Sequence, residues 1–527
     1  MPAKRAAKKA AAKKATRRRS PPSGRGPATP VRVRMYRQGL GDCFLITFDP
    51  GGQETHMLVD CGTLGSTTTG VKMADVVADI KTTTGNHLHL LMVTHEHQDH
   101  LSGFNSLKEV FSAMQIDAVW LAWTENPDDE DAKRQKAHEG DLGKALSLAA
   151  NALVNNRAGD PDAIATGQAI RNVLGFIADE QELLKGAWAP TVNEAMHFVR
   201  TTLGKEKTRR YLRPGGPAIE DFVPGFRFFV LGPPTNDTLR ERMGEDDSEE
   251  LYHMAPGMAA GLADAAFQAA VLAGNPPGGE VKEAVEAEMP FDKRFQCPEA
   301  DAVIQYALAD YFKTEHAWRQ ISTDWLQGAT DLALQIDNQI NNTSLVLAIE
   351  RISDGRVLLF PADAQEGNWL SWHDLPTPLT YTSGGATHQT TAEELLKKTV
   401  FYKVGHHSSH NATAKDKGLV MMKKTEELVA FIPVDRAVAL KKGSKGWKMP
   451  ATALYRALLE QCQGRVARSD IGWATDPGNV SAGDPEEAFR DFLPSSKWTT
   501  FQTKQSAAEA AGTVDLTHSL YVDYHLK

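Results

Sequence analysis

From Val31 the chain alternates apolar with polar positions: Val31, Val33 and Met35, then, past the turn Gly39-Leu40-Gly41-Asp42, the run Cys43-Phe44-Leu45-Ile46-Thr47-Phe48. This period of two around a glycine turn predicts two short strands. Met57-Leu58-Val59 predicts a third, closed by Asp60-Cys61-Gly62. Short apolar runs at Leu90-Leu91-Met92-Val93, Ala118 to Trp123, Phe226 to Leu231, Leu345 to Leu347, Val357 to Phe360, Val400 to Val404 and Val429 to Ile432 predict further strands. Two stretches break the series. Residues 127 to 215 show helical spacing at Leu142, Ala145, Leu146, Leu148, Ala149 and Leu153, and residues 236 to 338 continue as Ala-rich helical text. The pattern is α/β, with two mainly helical insertions at about 127–215 and 236–338.

Charge separates the N-terminus from the rest. Residues 1–30 carry ten Lys or Arg and no acid, so a total formal charge of −9 leaves −19 on residues 31–527. A tail of Ala, Lys, Arg, Pro and Ser has almost nothing to bury and is expected to be disordered. Its partner by charge is nucleic acid, held through phosphates. A solubilising or targeting extension is the alternative. The acidic cluster Glu245, Asp246, Asp247, Glu249 and Glu250 reads as a solvated face. With no run of about 20 apolar residues and no apolar signal core, a cytoplasmic protein without a membrane span is expected. Cys43, Cys61, Cys297 and Cys462 are scattered without a Cys-x-x-Cys pair, which argues for reduced core thiols.

The chemistry concentrates in Thr94-His95-Glu96-His97-Gln98-Asp99-His100, directly after a strand. His95 and His97 flank Glu96, so at an extended strand end they point the same way and can close on one ion. Asp99 and His100 follow where the chain turns and can hold a second. Imidazole nitrogens with a carboxylate suit zinc, with manganese or iron as alternatives. A second cluster, His406-His407-Ser408-Ser409-His410, also follows a strand. His406 is taken as the second-site ligand, and His407 or His410 as a donor to a substrate oxyanion. Asp363 ends the run Val357 to Phe360-Pro361-Ala362 and is the candidate to bridge two ions, one carboxylate having two oxygens to share. Metal ligands are thus His95, His97, Asp99, His100, Asp363 and His406, with Asp99 and His407 as the catalytic pair.

The His-x-His-x-Asp-His stretch resembles the signature of the metallo-β-lactamase superfamily. The turn Gly39-Leu40-Gly41-Asp42, the run Leu58-Val59-Asp60-Cys61-Gly62, the Asn342-Thr343-Ser344-Leu345-Val346 strand and the His406-His407-Ser408 stretch resemble one branch of it, the soluble metallo-β-lactamase-like domain of the bacterial competence DNA-uptake channel (ComEC type). The resemblance implies a four-layer αβ/βα sandwich over residues 31–525, one or two zinc ions, and Asp60 supporting the ligand loop from beneath by hydrogen bonds. Two departures stand out. Ser408 occupies or precedes a position where the branch has glycine, and no histidine stands in the turn that usually supplies a third histidine to the first metal. His253, His316 or Asn342 are the candidates for that place.

A metal pair lowers the pKa of water toward about 7 and neutralises charge on the attacked group, which implies a hydrolase. A phosphodiesterase or nuclease is favoured by the branch resemblance and the basic tail. A hydrolase of a lactam, lactone or thioester, or a non-catalytic metal-stabilised scaffold, are the alternatives. Deleting residues 1–30 should weaken nucleic-acid cleavage and flatten its salt dependence while leaving small-ester turnover unchanged; cleavage assays across a salt series check this.

Overall fold

The computed structural model describes residues 28–65, 67–156, 161–178, 183, 191–205, 208–241, 333, 336–442, 446–475, 486, 489 and 493–527. The basic tail up to residue 27, the acidic cluster at 245–250, His253 and His316 lie outside the described residues. No helix among the described residues is long and apolar enough to cross a membrane.

The alternating runs form β1 (Val31–Tyr36), β2 (Phe44–Phe48) and β3 (Thr55–Val59), an antiparallel meander with Met35 opposite Phe44 and Phe44 opposite Val59. Helix α1 (Met73–Thr83) follows, then β4 (His87–Leu88) and β5 (Leu90–Met92). Helix α2 (Gln98–Ser106) carries Asp99 and His100 of the histidine motif, His95 and His97 lying in the loop before it, and β6 (Gln115–Ile116) and β7 (Val119–Ala122) come next. Helices Glu130–Asn156, Pro161–Leu174 and Thr191–Phe198 occupy most of the first predicted insertion. Its end differs from expectation, because Arg209–Leu212 forms strand β8, parallel to β7. Two arginines in four residues hide the strand from a hydrophobicity reading. The open edge of β7 supplies the hydrogen bonds that settle it.

The second half gives β9 (Phe226–Gly232), β10 (Val346–Arg351) and β11 (Val357–Phe360), the hairpin β12 (Leu379–Ser383) and β13 (Ala386–Thr390), then β14 (Thr399–Lys403), β15 (Val429–Ile432), β16 (Val466–Arg468) and β17 (Gly472–Trp473). The chain ends in β18 (Val514–Asp515) and β19 (Tyr521–Leu526), and β19 lies antiparallel beside β1. An eight-stranded sheet runs β18-β19-β1-β2-β3-β5-β7-β8, and a seven-stranded sheet runs β17-β16-β15-β14-β11-β10-β9.

Side chains alternate between two apolar clusters, as the two-residue period of a strand requires. Val33, Phe44, Ile46, Met57 and Met92 of the first sheet share one cluster with Phe228, Leu347, Leu358, Phe401 and Phe431 of the second. Their neighbours Leu45, Leu58, Leu91, Leu359 and Ala430 join the other cluster with helix residues such as Val77, Leu101, Phe104, Leu454 and Leu458. Edge-on ring pairs cross between the sheets, Phe44 with Phe360 at 6.1 Å and Phe48 with Phe226 at 4.8 Å. Each such pair contributes about 0.5–1.5 kcal/mol beyond the area it buries.

This arrangement brings strand ends together. β3, β5 and β7 are mutually parallel, as are β11, β14 and β15. Residues just past their carboxyl ends are Asp60, Thr94 to His97, Asp363, His406, His407 and Pro433. Crevices outside the carboxyl ends of parallel strands are where α/β folds place ligands. The start of α2 is pinned there by backbone contacts: Asp42 N donates to Asp99 O at 2.9 Å, Cys61 N to His100 O at 2.9 Å, and Gly62 N to Asp42 O at 2.9 Å. Gly62 is required by this approach, since a Cβ on it would fall 2.3 Å from the Asp99 carbonyl carbon and 2.4 Å from His100 N. Gly62→Ala should therefore push α2 off the strand end, lowering stability by about 1–3 kcal/mol in urea denaturation and weakening metal retention.

Candidate metal centre

Asp60 sits at the end of β3 in the left-handed region, with φ 55°. Its carboxylate accepts three hydrogen bonds: Thr94 N to Oδ1 at 2.9 Å, Thr94 Oγ1 to Oδ2 at 2.7 Å, and His100 Nδ1 to Oδ2 at 2.8 Å. The single hydroxyl proton of Thr94 is thus committed to Asp60, so Thr94 Oγ1 accepts from His95 Nδ1 at 3.0 Å. One carboxylate thereby leaves His95 with a lone pair on Nε2 and fixes the His100 ring so that its Nε2 faces the other acids. His95 Nε2 lies 3.1 Å from His97 Nδ1. His100 Nε2 lies 3.2 Å from Asp363 Oδ2 and 3.9 Å from Asp99 Oδ2.

His407 donates Nδ1–H to Pro433 O at 2.6 Å and turns Nε2 to Asp99 Oδ2 at 2.7 Å and Asp363 Oδ2 at 3.7 Å. Asp99, His100, Asp363 and His407 each bring one donor atom within 4.8 Å of the others, and all four are buried. The set therefore holds His407 where the sequence reading put His406. His406 instead turns Nδ1 to Ser409 Oγ at 2.9 Å and Gln365 Nε2 at 3.2 Å, and at 7 % exposure it is the most open of the five site histidines. The cause is backbone. His406, His407 and Ser408 all have positive φ, 40°, 50° and 64°, so consecutive side chains splay in directions that sequence spacing does not reveal. Ser408 keeps the left-handed turn at the position where glycine was expected. His410 is exposed.

Asp363 departs from the expected two-oxygen bridge. Its Oδ1 is taken by Lys403 Nζ at 3.0 Å and by His406 N–H at 2.9 Å, which leaves Oδ2 alone for a cation. Lys403 Nζ also pairs with Asp42 Oδ2 at 2.5 Å and donates to Ala362 O at 2.8 Å. Asp363 is no helix cap, because the following helix, Glu366–Ser371, is preceded by Gln365 at that place. Asn342 is committed elsewhere: its Oδ1 accepts from Gln365 N and Asn368 N, and its Nδ2 donates to Arg240 O. Two residues that the sequence reading left out of the site, Lys403 and Asp42, had signals in it. Lys403 is the one charge in an apolar strand run, and Asp42 closes the Gly-x-Gly-Asp turn.

Titration follows this geometry. Burial would lower His100, but Asp363, Asp42, Asp60 and Asp99 together raise it well above the ordinary imidazole value. Burial likewise opposes the charge on His407, and Asp363 and Asp99 raise it. Burial depresses His97 to about 4 and His406 to about 3, and carries His95 well below its usual range with help from His100 and His97. Burial disfavours the Asp363 carboxylate, yet Lys403, His100 and His407 hold it well below the usual range. Asp99 Oδ1, His100 Nε2 and Asp363 Oδ2 have no hydrogen-bond partner among the described residues. Buried polar atoms left unpaired are costly, and a divalent cation would satisfy all three while displacing protons from the two raised histidines. The donor set of imidazole nitrogens and carboxylate oxygens fits a transition metal.

Beside this cluster lies a pocket of about 450 Å³. Glu96, between the two histidines of the motif, lines it together with Glu125, Lys133, Lys136, His197, Arg200, and Ile336 and Ile340 of the helical residues 336–342. Lys136 bridges Glu96 at 2.7 Å and Glu125 at 3.1 Å, and burial with the nearby Glu96 charge pushes Glu125 up to about 8. Another possible cation group, His87, His89 and Asp117, stands apart on the β4 and β6 ladder, where His89 Nδ1 already accepts His56 N–H at 3.1 Å.

Residues 36–205 match the family model of the metallo-beta-lactamase superfamily. No curated protein matches the chain. The matched stretch contains Asp60 and His95 to His100 but ends before Asp363 and His407, which the fold brings to the same cavity. Members of this superfamily are generally hydrolases, and the buried His/Asp cluster is compatible with metal binding. Asp60→Ala would strip the proton acceptor from both Thr94 and His100. It should weaken metal binding about 10–100-fold in competition titrations with a chromogenic chelator.

Proposed function

We propose that this protein is a metal-dependent hydrolase of phosphodiesters, holding one or two zinc ions, with manganese as the alternative metal. The observation that carries the reading is the convergence of buried donor atoms from two clusters more than 260 residues apart in sequence. His95 Nε2 and His97 Nδ1 would serve one ion. Asp99, His100 Nε2 and His407 Nε2 would serve the other, with Asp363 Oδ2 between. When bound there, the metals would supply Lewis acidity and water activated near neutral pH.

The chain's own groups supply the rest. Lys403 and the His406 N–H hold Asp363 fixed through Oδ1, so the free oxygen keeps one direction. His406, kept neutral by burial and the most open of the five site histidines, would meet substrate, the role the sequence reading gave to His407 or His410. Lys133, Lys136, His197 and Arg200 share the wall of the adjoining pocket with Glu96, Glu125 and Glu139, so that wall is mixed in charge. The basic residues of 1–30 would extend the hold on a nucleic acid. The four-layer αβ/βα reading of the fold is supported by the split of each strand's side chains between an inter-sheet and a helix-side cluster. The competence-type resemblance rests on the motif residues alone.

A second reading has one observation in its favour: a pocket of about 450 Å³ suits a small molecule such as a lactone, lactam or thioester. The two separate on the same samples. Metal content by elemental analysis and hydrolysis of bis-p-nitrophenyl phosphate should both be lost in Asp363→Ala and His407→Ala. His406→Ala should keep its metal and lose turnover. Turnover of lactone or thioester probes without diester cleavage would favour the second reading, and a wild-type chain that takes up no metal would remove both.

A further inference from the structure

His97 offers its two ring nitrogens to two different neighbours, and only one can be a metal donor. Nδ1 lies 3.1 Å from His95 Nε2, whereas Nε2 lies 3.6 Å from Oδ1 of Asp337. Neither His97 Nε2 nor Asp337 Oδ1 makes a hydrogen bond of ordinary geometry among the described residues, the two residues are 1 % and 6 % exposed, and the Asn341 side chain also faces His97. The other carboxyl oxygen of Asp337 accepts from Asn341 Nδ2 at 3.2 Å, four residues on along the helical residues 336–342, and burial with the Asp99 and Asp363 charges raises the group well above the usual carboxylate range, so it meets His97 as a neutral carboxyl rather than a charge.

A neutral His97 carries one proton with two possible homes. The chain from Asp60 through Thr94 has already left His95 Nε2 as a lone pair. A proton on His97 Nδ1 would be donated to that lone pair, and the two rings would satisfy each other with nothing left for a cation. A proton on Nε2 faces Asp337 instead. Two lone pairs then converge from His95 and His97, which is the state a metal requires.

We propose that Asp337 is a positioning residue that holds the His97 proton on Nε2 and so converts His95 and His97 from a hydrogen-bonded pair into a chelating one. The inference rests on the metal-dependent reading above. It also gives the second interruption of the fold a part in the chemistry. The helical turn that follows residues 242–332 delivers Asp337 to the ligand loop, while its neighbours Ile336 and Ile340 line the adjoining pocket.

The test is zinc binding to the full chain, by elemental analysis and calorimetric titration, in wild type, Asp337→Asn and Asp337→Ala, with circular dichroism as the folding control. The amide oxygen of Asn can still accept the Nε2 proton, so Asp337→Asn should bind zinc within a few-fold of wild type. Asp337→Ala should weaken one of the bound ions about 10–100-fold. Unchanged zinc binding in Asp337→Ala overturns the proposal and leaves the hydrolase reading intact. Equal losses in both variants overturn it too, because they would make Asp337 a charge or a direct ligand rather than a proton acceptor. A wild type that binds no zinc overturns the hydrolase reading and this inference with it. If Asp337→Ala does not fold, long-range proton–nitrogen spectra of zinc-loaded, histidine-labelled wild type decide, with His97 assigned from its loss in His97→Gln. A proton on Nε2 supports the proposal, and one on Nδ1 sinks it.

Discussion

Three protons given to one buried carboxylate organise this site. Asp60 receives the amide and hydroxyl of Thr94 and the Nδ1–H of His100, and through the Thr94 hydroxyl it orients His95 as well. The orientation of both rings is a consequence of where Asp60 accepts a proton. A carboxylate can do this only if its position is over-determined. The backbone hydrogen bonds that tie Asp42 to Asp99, Cys61 to His100 and Gly62 to Asp42 provide that, with Gly62 allowing the chains to approach. The ligand loop is thus held by its backbone and oriented by its hydrogen bonds.

The second cluster is held by a different device. His406, His407 and Ser408 lie consecutively in left-handed backbone, as do Asp60 and Ala362 nearby. A non-glycine residue in that region costs about 1–2 kcal/mol. Such conformations persist where surrounding contacts outweigh them, and here His407 is tied to Pro433 O and the His406 amide to Asp363. Lys403 completes the frame by pairing with both Asp42 and Asp363, holding Asp363 well below the usual range while burial still raises Asp42. Burial opposes its own charge, and the two acids raise its pKa nonetheless. The lysine keeps Asp363 ionised and also removes one of its oxygens from the cation's reach.

The wall of the adjoining pocket is joined to this frame. Glu96 stands between two candidate ligands in sequence yet faces the pocket, paired with Lys136, so the ligand loop and the pocket wall are one piece of chain. A change in that wall would be felt in the loop through Glu96, and a change at the site would be felt in the wall through residues 336–342. Segments that interrupt the strand series thus line the same pocket as the loop that follows β5.

Much of the strand order and one half of the site were legible in the sequence, because they depend on spacing along a few residues. Period two around a glycine turn, apolar runs of four to six residues, and histidines on either side of Glu96 at a strand end carry their geometry with them. Strand β8 escaped because its charged residues mask it and only the free edge of β7 makes it a strand. The exchange between His406 and His407 escaped because a left-handed turn re-aims adjacent side chains, and the energy that stabilises such a turn comes from residues far away. Asp42, Lys403 and Asp337 meet the ligands across 40 to 360 residues of chain, and nothing in local pattern brings those pairs together. The sequence by itself determined which chemical groups are present and which strand ends offer them. Only the tertiary structure decided which nitrogen of each ring is free, because a tautomer is set by the acceptor that packing places against it.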